Sequence, residues 1–421
     1  MTCIACFIDN KYQRELKQMC FCLDRFELKL SKYKDLFVHE VQELESVSKC
    51  NCKYKNTDEK YVKWTDDFLK EMQNSNTVIE STFDALINIY KSYVSENIKI
   101  ATDKVWDFLT YNDLLDETEG GFSYSTLFYR ARVDDGSFNK NDITNFFHIP
   151  FTKRELIGNQ RFSISGQPML YFAKSVIGVE KELSTPINKL AISAFIPYFK
   201  DFYSKKYFTI KNSLFNTIVK SLPGILKSGS QIDYYKSDLA PNHNSLEKDL
   251  QKSILSQVLT FPVENKHSFI AEYILPQMVT TALLENGYNG VAFPSTKDFT
   301  ELKSYHKFSD FESNFAVFVK YSPVNSYDND LLKSFLYFTF NGQEQFEYTA
   351  KEILDKFEQV AELNKKSKKD NFMVPLGNLQ LHIEYLENST LNGVNYFETL
   401  QGKTELEFHS KVADFYLKIL Q

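Results

Sequence analysis

The densest group of residues able to do chemistry lies in the stretch 128–183. Arg130 and Arg132 stand two positions apart in the run Phe-Tyr-Arg-Ala-Arg-Val, and on a strand such side chains point to the same face. The planar guanidinium group of arginine donates paired hydrogen bonds to phosphate oxygens. The two arginines therefore predict a binding place for a pyrophosphate group.

A second group follows at wider spacing. It comprises Arg161, Gly166 in a Gly-Gln-Pro turn, Tyr171, Glu182 eleven residues after Tyr171, and Ser295 in a later predicted turn. A tyrosine ring can stack on a flat heterocycle. A single glutamate suits a ribosyl reaction, because it stabilises an oxocarbenium-like charge or holds a ribose hydroxyl. Each residue taken alone is most often structural, so the prediction depends on the ordered combination.

All six cysteines lie within the first 52 residues. Cys3-x-x-Cys6 together with Cys50-x-Cys52 offers four thiolates to one zinc ion, and Cys20-x-Cys22 is a rival second pair. The start of the chain lacks the basic and apolar regions of a signal peptide, which predicts a cytoplasmic protein in which disulfides are rare. Reduced, partly buried thiols are the alternative to a zinc site.

Composition narrows the classes of partner. The chain has 421 residues, 43% of them hydrophobic, which is enough for two or three domains with real cores. The net charge of −6 disfavours nucleic acid, because duplex-binding proteins carry a basic excess. No apolar run reaches the roughly 18 residues that cross a bilayer, so no membrane association is expected.

Hydrophobic periodicity predicts where the elements lie. Helical patterns over 11–30, 33–48, 59–75 and 77–97 indicate an α-helical N-terminal domain. Strands are predicted at 125–133, 169–173, 190–196, 291–293 and 315–321, and helices at 175–182, 198–220, 245–258 and 267–286, with a loop or insertion at 221–245. The remainder, 325–421, predicts a small α+β unit with strands at 334–340 and 379–385 and helices at 349–365 and 406–420. Strands mixed with helices indicate an α+β or α/β fold, and α+β is the fold class that we predict.

The ordered pieces resemble the RES family. They are Phe128-Tyr129-Arg130-Ala131-Arg132, Phe147-His148-Ile149-Pro150-Phe151, Arg161 with Gly166 and Leu170-Tyr171, Glu182, Tyr273-Ile274-Leu275-Pro276-Gln277 and Gly290-Val291-Ala292-Phe293-Pro294-Ser295. The family takes its name from an arginine, a glutamate and a serine, which are placed here at Arg130, Glu182 and Ser295 as catalytic residues. Arg132 competes with Arg130 for the first place, and Phe162-Ser163 departs from the aromatic-asparagine pair of many members.

The resemblance implies a fold related to ADP-ribosyltransferases and NAD as the substrate. Arg132, Arg161, Tyr171 and Gly166 would bind the substrate, and phosphate or water would break the nicotinamide–ribose bond. Many members are toxins that deplete cellular NAD, so an antitoxin or a sensor protein is an expected partner; oligomerisation stays open. Transfer of ADP-ribose to a macromolecule and a non-catalytic nucleotide-binding adaptor are the alternative functions.

The resemblance also suggests four regions along the chain. Larger RES proteins carry a zinc-binding segment before a helical, HEPN-associated region, which would correspond here to residues 1–55 and 56–118. The RES catalytic domain would span 122–324, and 325–421 would be an accessory region. The only histidine in residues 1–120 is His39, and no Arg-x4–6-His motif is present there, so ribonuclease activity is not expected.

Overall fold

The computed structural model describes residues 2–52, 54–55, 59–95, 97–115, 127–197, 205–215, 218, 243–264, 269–299, 301–304, 312–340, 348–366 and 376–421. The chain divides into two compact units. The first comprises Met1–Asp116, Asn159–Ile164 and Ile210–Asn286, and the second comprises Glu117–Gly158, Ser165–Thr209 and Gly287–Gln421. Both units combine segments that are distant in the chain, so they differ from the four regions suggested above, whose boundaries stay a prediction.

The described helices and strands confirm a mixed α+β fold. The helices are α1 (Ile4–Phe7), α2 (Asn10–Gln18), α3 (Phe26–Gln42), α4 (Glu59–Asn74), α5 (Asn76–Val94), α6 (Ile98–Tyr111), α7 (Val176–Leu183), α8 (Ser213–Phe215), α9 (His243–Leu259), α10 (Ile274–Glu285), α11 (Asn329–Lys333), α12 (Ala350–Lys366), α13 (Leu376–Glu387) and α14 (Leu400–Leu420). The strands are β1 (Phe128–Val133), β2 (Met169–Ala173), β3 (Leu190–Pro197), β4 (Tyr207–Thr209), β5 (Gly290–Pro294), β6 (Leu302–Ser304), β7 (Ser313–Phe318), β8 (Phe335–Phe340), β9 (Ser389–Leu391) and β10 (Val394–Asn395). Among the described helices, none combines the length and the apolar character needed to cross a membrane.

The first unit is helical in its described part, and α3 and α5 form much of its core. On α5, Phe83, Leu86, Ile87 and Tyr90 recur at the helical period of 3.6 residues and are all buried. The ring of Phe83 meets that of Tyr33 on α3 edge-on, with 5.4 Å between the ring centroids. The helical pattern predicted over 77–97 is therefore confirmed.

The second unit contains a seven-stranded sheet with the strand order β4-β5-β7-β2-β1-β3-β8. Neighbouring strands are antiparallel except β4 and β5, which are parallel. One face packs on α7, α12 and α14, and the other carries a cluster of phenylalanines from β1, β2, β3 and β7. A separate small sheet has the order β10-β9-β6.

The C-terminal segment does not form a unit of its own. Strand β8 pairs with β3 along its whole length, from Ile192↔Phe340 to Pro197↔Phe335. On α14, Phe408 packs with Tyr129 of β1, with 5.8 Å between the ring centroids. The described part of residues 325–421 therefore adds strand β8 to the sheet and covers one face of the sheet with α12 and α14.

Two predicted elements are wrong. A strand was expected at 379–385, where apolar residues alternate, but the segment lies inside α13: Leu381 is 55% exposed, whereas Leu379 and Ile383 are fully buried one helical turn apart. A helix was expected over 198–220, yet Tyr207–Thr209 is a strand that pairs with β5, because aromatic and β-branched residues suit a sheet. Most of the loop predicted at 221–245 lies outside the described residues.

Candidate functional site

The candidate site is built at the C-terminal end of α7. This helix follows β2 directly, and the Ser175 hydroxyl caps its first turn by accepting a hydrogen bond from the Gly178 amide at 3.0 Å. Val176 and Val179 are buried against the sheet, whereas Glu182, in the last turn, is exposed. Burial of one side of a short helix thus presents a single carboxylate to solvent, as the sequence predicted for a residue at a helix end.

Two neutral donors hold the Glu182 carboxylate. The Ser295 hydroxyl donates to Glu182 Oε1 at 2.6 Å, and the Asn314 amide nitrogen donates to the same oxygen at 2.6 Å. Ser295 follows the end of β5, and Asn314 lies near the start of β7. Three distant parts of the chain therefore converge on one oxygen atom.

The backbone fixes the direction of the serine hydroxyl. The Ser295 amide donates to the Glu312 carbonyl at 2.7 Å, and the Lys297 amide donates to Ser295 Oγ at 3.1 Å. Because Oγ already accepts from Lys297, its own proton is free to point to Glu182. Among the described residues, no hydrogen bond is made to Oε2 of Glu182, so this oxygen is available to a ligand.

Tyr171 lies on the same face of the sheet as Asn314. It pairs with Ala316, while Asn314 pairs with Ala173, and side chains two positions apart on a strand share a face. Tyr171 is thus a diagonal neighbour of Asn314, about 7–8 Å away between Cα atoms. Of the predicted site residues, Glu182 and Ser295 are in contact. Tyr171 lies on the face of the sheet that carries their partner Asn314.

Arg130 and Arg132 project from the opposite face. Tyr129 pairs with Ala173, so the arginines on either side of Ala131 point away from the face that carries Asn314. Burial, and then the charge of Arg132, lower the pKa of Arg130 to about 10. The guanidinium carbon of Arg132 lies 4.4 Å from the centre of the Phe138 ring. The described contacts bring neither arginine to Glu182.

Arg161 and Gly166 lie in different units. Arg161 belongs to the first unit, where it donates to the Leu259 carbonyl at 3.0 Å and lies 4.9 Å from the centre of the Tyr273 ring. Gly166 belongs to the second unit and has the left-handed φ of +80° that glycine tolerates in a turn. Its amide donates to the Ile157 carbonyl at 3.1 Å. These contacts bring neither residue to Glu182.

The four cysteines of the predicted zinc site come together in the first unit. The sulfur atoms of Cys3, Cys6, Cys50 and Cys52 all lie within 4.8 Å of one another, with 3.7 Å between Cys3 and Cys52 and 3.9 Å between Cys6 and Cys50. A tetrahedral zinc with bonds of about 2.3 Å to sulfur needs sulfur–sulfur distances of about 3.8 Å. This group can hold a metal ion, and its dimensions fit zinc.

The rival cysteine pair lies elsewhere. Cys20 Sγ is 3.5 Å from the Leu16 carbonyl oxygen, and Cys22 Sγ is 3.2 Å from Lys32 Nζ. All six cysteines are free thiols. Within the group of four, the hydrogen bond from the Cys6 thiol lowers the pKa of Cys3 to about 5, and the same interaction raises the pKa of Cys6.

Comparisons with known proteins give one similarity to a toxin. The chain is 30% identical over 125 residues to "Putative toxin YopC" of Bacillus subtilis (strain 168). The match covers 29% of this chain and 27% of that protein, so it spans only about a quarter of the relative's length. No family model matches the chain, and no solved structure matches it. The chain is therefore similar to a protein described as a toxin, and these comparisons do not assign the chain to a family.

His148, in the segment Phe147-His148-Ile149-Pro150-Phe151, has a structural role. The Asp328 amide donates to its Nε2 at 3.0 Å, so the ring proton is on Nδ1, which donates to the Ile149 carbonyl at 2.8 Å. Burial lowers the pKa of His148, which keeps the ring neutral. This imidazole joins two loops of the second unit and has no spare nitrogen for catalysis.

Asn314 is the member of the site that the sequence did not reveal. It stands in an otherwise apolar strand, Ser-Asn-Phe-Ala-Val-Phe, and is 8% exposed. A buried amide in a strand needs a partner, which is a signal that can be read from the sequence once the strand is recognised. The identity of that partner depended on the position of α7.

Proposed function

We propose that this protein is a toxin-like enzyme that cleaves the nicotinamide–ribose bond of NAD at the site around Glu182. The observation that supports it is the convergence of Ser295 and Asn314 on one oxygen of an exposed carboxylate. The RES-like order of motifs and the similarity to a protein described as a toxin point in the same direction.

The chemistry requires little from the enzyme beyond charge and position. Nicotinamide departs from a cationic glycoside as a neutral molecule, so no general acid has to protonate the leaving group. Positive charge develops on the ribose, and a fixed carboxylate stabilises it more than a mobile one does, because no reorganisation is needed during the reaction. In this proposal, Glu182 Oε2 accepts a hydrogen bond from a ribose hydroxyl, while Ser295 and Asn314 hold Oε1.

The remaining predicted residues have supporting roles in this proposal. Tyr171 packs against the nicotinamide or the ribose. Arg161 belongs to the first unit, and its part in phosphate binding stays a prediction. Arg130 and Arg132 leave the sheet on the face opposite to Glu182, so this proposal assigns them no contact with NAD, and their part in the site stays a prediction. Gly166 shapes the turn before β2. We place the enzyme in the cytoplasm, where NAD is available, with an antitoxin or a sensor protein to restrain it.

Product analysis tests the reaction. The purified full chain is incubated with NAD, with and without inorganic phosphate, and nicotinamide and the ADP-ribose products are separated by chromatography. ADP-ribose 1″-phosphate that forms only with phosphate indicates phosphorolysis, and free ADP-ribose indicates hydrolysis. Label from NAD that stays on protein or nucleic acid indicates ADP-ribosyl transfer. Binding of NAD without release of nicotinamide would favour the adaptor and contradict the enzyme.

We further propose that Cys3, Cys6, Cys50 and Cys52 bind a structural zinc ion. The fit rests on four thiols whose sulfur atoms lie at tetrahedral spacing. Such a closed four-sulfur site leaves no open position for substrate, so zinc would stabilise the fold and take no part in the reaction. Metal analysis of protein purified without chelators tests this assignment.

A further inference from the structure

Glu405 on α14 is a buried carboxylate in contact with the start of α7. It is fully buried, and its Oε1 accepts hydrogen bonds from the Val176 amide at 2.7 Å and from the Tyr396 hydroxyl at 3.0 Å. Its Oε2 lies 3.1 Å from His382 Nε2. Burial of a carboxylate is costly unless several donors compensate it, and here three do.

The position of this carboxylate matters because Val176 is the first residue of α7. The amides of a first helical turn have no partner within the helix, and the N-terminal end of the helix dipole is positive. Glu405 satisfies one of these amides and places a negative charge at that end. Ser175 satisfies a second amide, that of Gly178. The start of the helix that carries Glu182 is therefore fixed from a different part of the chain.

A second contact fixes the same helix nearer its other end. Gln401, one turn before Glu405 on α14, donates to Glu180 Oε2 at 2.7 Å. Glu180 Oε1 in turn accepts a hydrogen bond from the Ile187 amide at 3.1 Å. Helix α14 thus holds α7 at its first residue and again two residues before Glu182. Two anchor points fix the rotation and the translation of a two-turn helix, which one anchor would not.

The side-chain partners of Glu405 come from the same C-terminal segment. His382 lies on α13, and its ring stacks on that of His409 of α14 with 5.3 Å between centroids and 18° between planes. His409 Nδ1 is 2.7 Å from the Glu405 carbonyl oxygen. These contacts hold the Glu405 side chain in one orientation, because its donors are themselves packed.

We propose that Glu405 and Gln401 are positioning residues for Glu182, so that the C-terminal segment 376–421 is a required part of the catalytic unit. This inference rests on the proposed function. The carboxylate of Glu182 must lie at one distance from the reacting ribose, and a misplacement of about 1 Å can lower a rate about a hundredfold. Neither positioning residue contacts the Glu182 side chain itself in the described hydrogen bonds.

The test compares four variants of the full chain. Glu405→Ala removes the acceptor of three donors, Glu405→Gln keeps an acceptor oxygen without the charge, and Gln401→Ala removes the second anchor at a partly exposed position. Lys403→Ala, at an exposed position of the same helix, is the matched control. For each variant, kcat and KM for nicotinamide release are measured, together with hydrogen exchange of the α7 amides and of the β1 and β3 amides.

We expect kcat to fall at least about tenfold in Glu405→Ala with KM for NAD changed less than about twofold, and to recover to within about threefold of wild type in Glu405→Gln. Exchange should accelerate in α7 and stay unchanged in β1 and β3. In Gln401→Ala, kcat should fall about threefold, again with faster exchange in α7 alone. If Glu405→Ala does not fold, the result for Gln401→Ala tests the proposal. Lys403→Ala should match wild type.

Two results would overturn the proposal. One is wild-type kcat and wild-type α7 exchange in a folded Glu405→Ala or Gln401→Ala. The other is a loss of activity accompanied by equally faster hydrogen exchange in α7, β1 and β3. That result would show that Glu405 stabilises the whole unit and does not position α7 in particular. If wild type itself releases no nicotinamide, the proposed function fails, whereas α7 exchange still decides whether Glu405 and Gln401 fix this helix.

Discussion

Ser295 donates its hydroxyl proton to the carboxylate of Glu182 at 2.6 Å, although 113 positions separate the two residues in the chain. Helix α7 brings the glutamate and the end of β5 brings the serine. In the part of the chain that the structure describes, no hydrogen bond is made to Oε2 of this exposed carboxylate, which is the arrangement that the proposed stabilisation of a cationic ribose requires.

Removal of the serine hydroxyl should slow the reaction without unfolding the protein. A hydrogen bond to a charged group contributes about 1.5–3 kcal/mol, which corresponds to a fall in kcat of roughly tenfold to a hundredfold in Ser295→Ala. Steady-state nicotinamide release measures the change, and Ser326→Ala, at an exposed position of the same unit, is the control. Wild-type kcat in Ser295→Ala would remove Ser295 from the site.

A negative charge in place of the neutral Asn314 amide should disturb the ionisation of Glu182. In Asn314→Asp two carboxylates would face each other, and their repulsion raises the pKa of the pair. We therefore expect the acid limb of the pH–rate profile to move upward by about one unit or more, and kcat at neutral pH to fall. An unchanged profile in a folded variant would mean that Asn314 does not contact Glu182 in solution.

Zinc should bind to the first unit and stabilise it. Cys3→Ser should lower the zinc content from about one ion per chain and lower the melting temperature, because a structural zinc contributes to folding directly. Cys22→Ser lies outside the group of four sulfurs and is the matched control. Plasma mass spectrometry and thermal unfolding measure both effects. Equal zinc content in the two variants would contradict the assignment.

The buried His409 should make the second unit sensitive to acid. Burial lowers its pKa to about 3, whereas the ring in the unfolded chain titrates near 6.5. Between these values the unfolded state binds the extra proton, so stability falls as pH falls, by up to about 1.4 kcal/mol per pH unit. Denaturant unfolding from pH 7 to pH 4 should show a smaller loss in His409→Asn than in wild type. Equal losses would contradict a neutral buried ring.

Local patterns predicted much of the fold. The strand at 169–173 and the helices near 245–258 and 349–365 were found at almost the expected residues, because the strand is short, apolar and aromatic and the helices carry apolar residues at helical spacing. The segment around Leu381 failed because its apolar residues alternate in a way that fits a strand, and only tertiary burial decides between the two periods.

The site was predictable only in part. Residue type and order led to Glu182, Ser295 and the four cysteines, all of which lie in groups that the fold assembles. Asn314 and Glu405 could not be found in this way, since their roles depend on pairing across the sheet and on the packing of α14 against α7. The face from which Arg130 projects likewise follows from strand register, which the sequence does not specify.

The charge of Glu182 is the centre of the account, and Glu182→Gln tests it most directly. The substitution keeps the size of an exposed side chain and removes its charge; Glu358→Gln, at an exposed position of α12, is the control. Nicotinamide release from NAD should fall at least about a hundredfold in Glu182→Gln and stay at the wild-type rate in Glu358→Gln. Release by wild type and Glu182→Gln at equal rates, or no release by wild type with or without phosphate, would contradict the account.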